Sequence, residues 1–296
     1  MKTLMNSMKF NKVSAFLRIT LGAALLTGAI TSTAYAETAS VNSPAADVAV
    51  QQQDLHAQWT NLLKQNVLAI DNGHSTAVNY ADFKQQETQL KAYLTQLSKV
   101  SRTEFDSWSK QKQLAFLINA YNAWTVEFIL TKYPDLESIK DLGSLFKSPW
   151  DKSFIPLLGE TVSLNDIEHG LIRGSGRYND PRIHFAVNCA SIGCPALREE
   201  AYTADKLEKQ LTEQTERFLT DTSRNQFDKN NARISSIFKW YKEDFEKGYG
   251  GAKSLQNFIL LYANVLKLDE EQKLALKNNN IDVDFLDYNW NLNANH

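Results

Sequence analysis

The sequence predicts an α+β fold, a predominantly helical single domain around a small β-sheet, with one central buried helix. Three observations indicate this fold. Apolar residues recur at helical spacing through most of the chain, the segment 113–133 is apolar on nearly every side, and only short segments near residues 154–164, 182–189 and 281–285 have strand character. No internal repeat or linker divides the sequence.

Residues 1–36 have the composition of a cleaved secretory signal peptide. The apolar run Ile19–Ile30 follows a basic leader, and Ala34-Tyr35-Ala36 gives a small-x-small cleavage site. The run is shorter than the roughly 20 residues of a membrane span, and no later segment has the apolar length of one. We therefore expect a periplasmic or secreted protein with no membrane span after cleavage.

The remaining chain is mildly acidic. Residues 37–50 are small and polar, which predicts a flexible lead-in, and residues 51–296 form the predicted globular domain. The formal net charge is −2, and loss of the four basic leader residues takes it to −6: Lys2, Lys9, Lys12 and Arg18. Because phosphate-backbone binding needs clustered Lys and Arg, we expect no nucleic acid partner but a small-molecule or peptide-like ligand.

Helices dominate the first half of the predicted domain. One begins near Gln51 and ends before Asp71, a second covers about Tyr80–Leu97, and Ser101-Arg-Thr-Glu104 fits a capping box that starts a third. The fourth, within Gln113–Tyr133, leaves little polar surface and should be the central buried helix.

Asn119 and Asn122 interrupt the central helix at i,i+3 and therefore share one side. A buried amide without partners costs about 1–3 kcal/mol. Two interpretations follow: these side chains bind backbone groups of neighbouring loops, or they line and orient a pocket.

The middle of the chain carries most of the chemistry. Phe154–Leu158 and Thr161–Leu164 predict a hairpin, and Ser163-Leu-Asn-Asp166 predicts the cap of a short helix that ends at Gly174. That helix bears three polar candidates: Glu168, His169 and Arg173. A predicted strand, Arg182–Cys189, then enters a loop of small residues that contains both cysteines.

The last part of the chain predicts further helices and one strand. Thr203 is the predicted cap of an amphipathic helix that carries Leu207, Leu211, Phe218 and Leu219 on one face. Further helices are expected after Ser235 or Ser236 and over Ser254–Leu266, and the alternation of Ile281, Val283 and Phe285 indicates a final strand.

Six ordered sequence blocks together resemble one family, the bacterial and eukaryotic proteins catalogued as "domain of unknown function 547". The blocks are Leu117-Ile-Asn-Ala-Tyr-Asn-Ala123, Asp166-Ile-Glu-His169 with Arg173, Arg182-Ile-His-Phe-Ala-Val-Asn-Cys189, Cys194-Pro-Ala-Leu-Arg198, Ser236-Ile-Phe-Lys-Trp-Tyr241 and Asp287-Tyr-Asn-Trp-Asn-Leu-Asn293. The resemblance covers about residues 105–293 and implies no established activity, cofactor or substrate. One departure is Asn289, where the family leads us to expect Asp.

The first functional hypothesis is a thiol-dependent hydrolase or acyl-transferase acting on an amide, ester or peptide-like substrate. Cys189, at the end of the predicted strand, would be the nucleophile and needs a nearby imidazole. In an extended strand His184 and Cys189 point to opposite faces, so His169 is the better candidate for the base. Glu168 and Asn119 would be supporting groups.

The candidate substrate-binding residues complete this site. They are Asn122, Arg173, Arg182, Asn188 and Ser191.

The competing hypothesis is a non-enzymatic periplasmic binding or scaffold protein with a structural Cys189–Cys194 disulfide. Oxidising compartments pair nearby thiols, and a loop this short closes readily. The spacing is not Cys-x-x-Cys, which gives a thioredoxin-like activity little support.

We expect neither a metal nor another cofactor. Glu168, His169, His184 and Cys189 are suitable ligand types, but their spacings match no standard zinc pattern. The terminal run Asp287–Asn293 has two interpretations, packing at a sheet edge or lining a carbohydrate or peptide groove.

Overall fold

The long apolar segment forms a helix buried along nearly its whole length. In the computed structural model, which describes residues 54–144, 146–228 and 231–295, this helix is α5, Lys110–Leu130. The Ser109 side chain caps it by accepting a hydrogen bond from the Lys112 backbone N–H. Because no side of α5 is polar enough for solvent, other elements pack around it. The predicted leader and lead-in, residues 1–50, lie outside the described residues.

Four helices and a hairpin precede α5. They are α1 (Ala57–Asn66), β1 (Val67–Ile70), β2 (Ser75–Val78), α2 (Tyr80–Gln85), α3 (Glu87–Lys99) and α4 (Arg102–Ser107). The helix predicted over Tyr80–Leu97 is two helices, because Gln86 leaves the helical conformation. The predicted cap at Ser101 is confirmed, since its hydroxyl accepts from the Glu104 backbone N–H.

After α5 the chain forms a small hairpin and four short helical segments, of which the first two are the 3₁₀ turns Ile139–Leu142 and Pro149–Asp151. Strands β3 (Ile155–Leu157) and β4 (Glu160–Val162) pair antiparallel, as predicted. The next turn of helix, Asp166–Arg173, is a π-helix, and Pro181–Phe185 is a short 3₁₀ helix.

The strand predicted over Arg182–Cys189 is therefore wrong. Pro181 sets a helical φ at the first position, and the Asp180 carboxylate accepts a hydrogen bond from the Arg182 backbone N–H. These two local effects begin a helical turn where the apolar run alone indicated a strand.

The remaining elements form a second layer. They are α6 (Leu207–Leu219), β5 (Asn225–Phe227), β6 (Asn231–Ser235), α7 (Ser236–Trp240), α8 (Lys242–Phe245), α9 (Leu255–Leu260), α10 (Glu270–Lys277) and β7 (Asp282–Leu286). The sheet order is β5-β6-β7, with β5 antiparallel and β7 parallel to β6. The predicted cap at Ser235 and the predicted final strand are both confirmed.

Two apolar clusters stabilise these layers. One surrounds α5, and the other is built from stacked and tilted phenylalanine rings, including Phe185, Phe218 and Phe245. The predicted α+β class is confirmed, with the strands of the described residues divided among three small sheets. No helix within the described residues has the length and apolar character needed to cross a membrane.

Candidate active site

A cavity of about 220 Å³ opens where the π-helix, the cysteine loop, α7 and the C-terminal tail meet. Six aromatic side chains contribute to its wall: Tyr121, Trp150, Trp240, Tyr241, Tyr288 and Trp290. Glu168, His169, His184 and both cysteines also line it. Four of the residues predicted for catalysis therefore share one cavity. His184 and Cys189, which the predicted strand would point to opposite faces, both line it.

The π-helix brings Glu168 and His169 to the wall. Ser163 and Asp166 form the predicted cap, each side chain bonding the other residue's backbone N–H at 3.1 and 2.8 Å. At the far end, the Gly174 N–H donates to the His169 carbonyl at 2.8 Å, the wide hydrogen bond of a π turn. A Cβ at position 174 would lie 2.5 Å from that carbonyl oxygen, so only glycine allows this closure.

His184 and Asp244 form a buried pair at the cavity. The imidazole Nε2 lies 2.8 Å from Asp244 Oδ2, and Tyr241 stacks on the ring with centroids 3.9 Å apart. Nδ1 of His184 is buried and has no hydrogen-bond partner among the described residues. Because the carboxylate can only accept, Nε2 carries the proton when the imidazole is neutral, and Nδ1 carries the lone pair.

The protonation states of this pair follow from burial and hydrogen bonding. Burial disfavours the ionised form of Asp244, but hydrogen bonds from His184, Arg173 and Lys247 outweigh it and hold the pKa of that carboxyl well below its usual range. Burial lowers the pKa of His184, and the bond to Asp244 only partly offsets this effect. The pair is therefore a carboxylate beside a neutral imidazole near pH 7.

Arg173 holds this arrangement from outside the cavity. Its Nε donates to Asp244 Oδ2 at 2.5 Å, and its NH1 lies 2.8 Å from His169 Nδ1. A guanidinium can only donate, so His169 Nδ1 accepts and the proton of its neutral ring resides on Nε2. Arg173 was predicted to bind substrate, but it does not line this cavity. It bonds instead to His169, which does line it, and to Asp244, which holds His184.

The two cysteines are joined by a disulfide. This bond corrects the hypothesis of a free Cys189 nucleophile, because a disulfide sulfur carries no thiolate. The Ser191 hydroxyl lies 3.1 Å and the Tyr288 hydroxyl 3.1 Å from the Cys189 sulfur. Ser191 is buried and therefore supports the loop rather than lining the cavity.

Gly193 allows the C-terminal tail to close over this loop. A Cβ there would lie 2.9 Å from the Tyr288 ring, so a larger residue would push that ring away. The tail is also tied to the loop by the bridge between Ser191 and Leu292. The terminal aromatic run therefore bonds to the exposed backbone of the loop and also lines the cavity wall, while the predicted carbohydrate or peptide ligand stays a prediction.

Both asparagines of α5 bond to the backbone of neighbouring loops. Asn119 donates to the Tyr202 carbonyl at 2.8 Å and accepts from its N–H at 2.9 Å. Asn122 does the same with the Ala186 carbonyl and the Asn188 N–H, at 2.9 and 2.8 Å. Neither lines the cavity, and Asn119 is too fully engaged to serve as a supporting group in catalysis.

Two further candidate binding residues have structural partners. The Asn188 side chain donates to the Pro195 carbonyl at 2.7 Å and accepts from the Ala190 N–H at 2.9 Å. Arg182 is buried and forms ion pairs with Asp180 and Glu208, both at 2.7 Å. Their polar atoms are turned to other protein groups and away from any ligand.

Asp244 and Tyr241 were missed from the sequence. Both lie in a segment whose apolar residues predicted a plain amphipathic helix. A signal was present, because Asp244 is three residues after Tyr241 and therefore borders the apolar side that Tyr241 shares with Phe238 and Phe245. An acidic residue on an apolar face is a buried charge that needs a partner. Within the described residues, no group of three or more His, Cys, Asp or Glu side chains is arranged to hold a metal ion.

Residues 105–219 match the model of the family described as "Protein of unknown function, DUF547". The resemblance predicted from the sequence is confirmed over this segment, which contains the first four of the six blocks. The DUF547 segment includes Glu168, His169, His184 and both cysteines, whereas Asp244 and the aromatic tail lie beyond it. Searches of curated proteins and of solved structures each gave no match to the chain.

Proposed function

We propose that the protein is a hydrolase in which His184 acts as general base toward an amide, ester or peptide-like substrate held in the cavity. The observation that carries this proposal is the buried, unpartnered Nδ1 of His184, whose other nitrogen is fixed by Asp244 at 2.8 Å. A carboxylate that orients a neutral imidazole is the arrangement by which histidine abstracts protons in many hydrolases.

The reaction needs water and no thiol. Water would give a proton to His184 Nδ1 while its oxygen bonds to the substrate's carbonyl carbon. When the tetrahedral intermediate collapses, the C–N or C–O bond breaks and the imidazolium proton passes to the leaving amine or alcohol. Asp244 stabilises the imidazolium during this interval through its hydrogen bond.

Hydrolysis of p-nitrophenyl acetate by the purified protein tests the proposal. We expect His184→Asn to lower the enzyme-dependent rate by about 10²–10⁴-fold, the usual contribution of a positioned general base. His74→Asn, a histidine outside the cavity, is the matched control and should keep the rate. Equal rates for the wild type and His184→Asn, with both proteins folded by circular dichroism, would refute the hydrolase.

A second candidate function, a binding protein without catalysis, is favoured by the disulfide. That bond removes the one sulfur nucleophile predicted for this cavity and leaves an aromatic wall suited to holding a ligand. This candidate predicts ligand binding by the wild type and by His184→Asn alike, and no turnover by either.

We also propose that the protein is exported to the periplasm or secreted. The leader composition supports this, and so does the disulfide, because such bonds persist in oxidising compartments and are rare in the cytosol. Mass spectrometry of the protein recovered from cell fractions tests it: the expected N-terminus is Glu37, and an intact leader in the cytosolic fraction would contradict export.

A further inference from the structure

Glu168 places a buried carboxylate in the cavity wall, with only 4% of the residue exposed. The phenols of Tyr121 and Tyr241 bond to this carboxylate, and after burial its charge is the next largest cause that raises the pKa of both phenols. These bonds bring no positive charge to the carboxylate. A buried carboxylate is costly unless a positive charge compensates it.

The protein's own cations are engaged elsewhere. No Lys or Arg of the described residues lines the cavity. His169 Nδ1 is 4.0 Å from Glu168 Oε1, but that nitrogen accepts from Arg173 and so cannot donate to the carboxylate. Arg173 itself forms its ion pair with Asp244.

The aromatic wall favours the same kind of ligand. Trp240, Tyr288 and Trp290 are packed ring against ring, with centroids 4.5 to 5.7 Å apart. The faces of such rings carry partial negative charge and attract cations, most strongly for Trp and where water is excluded. Lys140 already uses this property from outside the cavity, with its Nζ 3.7 Å from the centre of the Trp290 ring.

We propose that the cavity selects a ligand that carries an ammonium group, with Glu168 and the aromatic wall as its recognition site. The proposal deepens the proposed function of the same cavity, since it names the class of substrate. The ammonium supplies the positive charge that the Glu168 carboxylate lacks as a partner, and the aromatic rings replace the water molecules around the ammonium.

Quenching of tryptophan fluorescence tests the binding directly, without turnover. The probes are choline chloride, n-butylammonium chloride and the neutral isostere of choline, 3,3-dimethylbutan-1-ol, at constant ionic strength. We expect both cations to bind and the alcohol to bind about tenfold more weakly, because a desolvated cation on an aromatic face gains of the order of 1–2 kcal/mol. Preference for choline or for butylammonium distinguishes quaternary from primary ammonium ligands.

Glu168→Gln should lower the affinity for both cations by about tenfold and change the affinity for the alcohol by less than about twofold. The amide keeps the shape of the side chain and removes its charge. Glu160→Gln, the same change at an exposed position of the β3–β4 hairpin, is the matched control. Equal affinities for choline and the alcohol, or no binding of any probe, would overturn the proposal.

The two proposals fail separately. If the wild type hydrolyses p-nitrophenyl acetate but binds no cation, only the proposal of an ammonium ligand is refuted. If the wild type and His184→Asn both bind cations and hydrolyse p-nitrophenyl acetate at equal rates, only the proposal of a hydrolase is refuted.

Discussion

The amide side of α5 and the wall of the cavity both bury polar groups, but they treat them differently. On α5 each amide of Asn119 and Asn122 donates one hydrogen bond and accepts another from loop backbone. In the cavity wall, His184 Nδ1 has no partner among the described residues, and Glu168 bonds to two phenols while no Lys or Arg of the described residues joins it in the lining. Polar groups with all their partners stabilise the fold, whereas a cavity group that lacks a partner or a counter-charge is available to a ligand.

The strongest test of this contrast is Asn119→Ala. The change leaves the Tyr202 N–H and carbonyl buried without partners, which costs about 1–3 kcal/mol for each group before relaxation. We expect urea denaturation to show a loss of about 2–4 kcal/mol in the free energy of unfolding, with cation affinity unchanged.

Asn61→Ala, an exposed asparagine on α1, is the control and should change the free energy of unfolding by less than about 0.5 kcal/mol. A stable Asn119→Ala protein that no longer binds choline would break the comparison, because it would make the α5 amide part of the site.

A second test uses the acid stability of a satisfied histidine. His56 is buried and does not line the cavity, its Nδ1 is 2.7 Å from the Tyr93 hydroxyl, and burial lowers its pKa to about 4. The unfolded chain takes up this proton at its ordinary pKa near 6.5, so stability is lost as the pH falls from about 6.5 to about 4. The loss from this group should reach about 3 kcal/mol.

Thermal unfolding measured across that pH range checks the effect. His56→Gln should lose less stability than the wild type as the pH falls from about 6.5 to about 4. His74→Gln should lose as much as the wild type. If His56→Gln loses as much stability as the wild type over this pH range, groups other than His56 cause the loss.

Local sequence signals predicted much of the fold. The caps at Ser101, Ser163 and Ser235 depend on residues within three positions, and α5 is visible because few of its residues could face water. The failure at Arg182–Cys189 is also local, since Pro181 and Asp180 favour a helical turn over the apolar pattern.

The site was harder to predict because its key pairing is distant in sequence. His184 meets Asp244 sixty positions later, and no periodicity connects them. The disulfide could be proposed from spacing and compartment, but whether Cys189 was paired or free depended on how the loop folds. Residue types indicated the right neighbourhood, and the long-range contacts decided the roles.

The third test concerns the disulfide in the cavity wall. Cys189→Ser with Cys194→Ser should lower the free energy of unfolding by about 2 kcal/mol, the chain-entropy value for so short a loop. Denaturation of the wild type with and without dithiothreitol checks it, and the double variant should no longer respond to the reductant.

We expect p-nitrophenyl acetate hydrolysis to survive in this double variant, because the proposed base activates water. Activity that appears only after reduction, and only when Cys189 is present, would instead restore the thiol as nucleophile.

The smallest expected effect is on the cavity side of the comparison. Glu168→Gln removes a buried charge that lacks a Lys or Arg partner within the described part of the cavity wall, so we expect it to raise the free energy of unfolding by about 1 kcal/mol in the absence of ligand. Glu160→Gln should have no such effect. Choline should then stabilise the wild type more than the variant in the same melting experiment, because a ligand that binds only the folded state adds its binding energy to stability. A variant less stable than the wild type without ligand would mean that Glu168, like the α5 amides, is already satisfied by the protein.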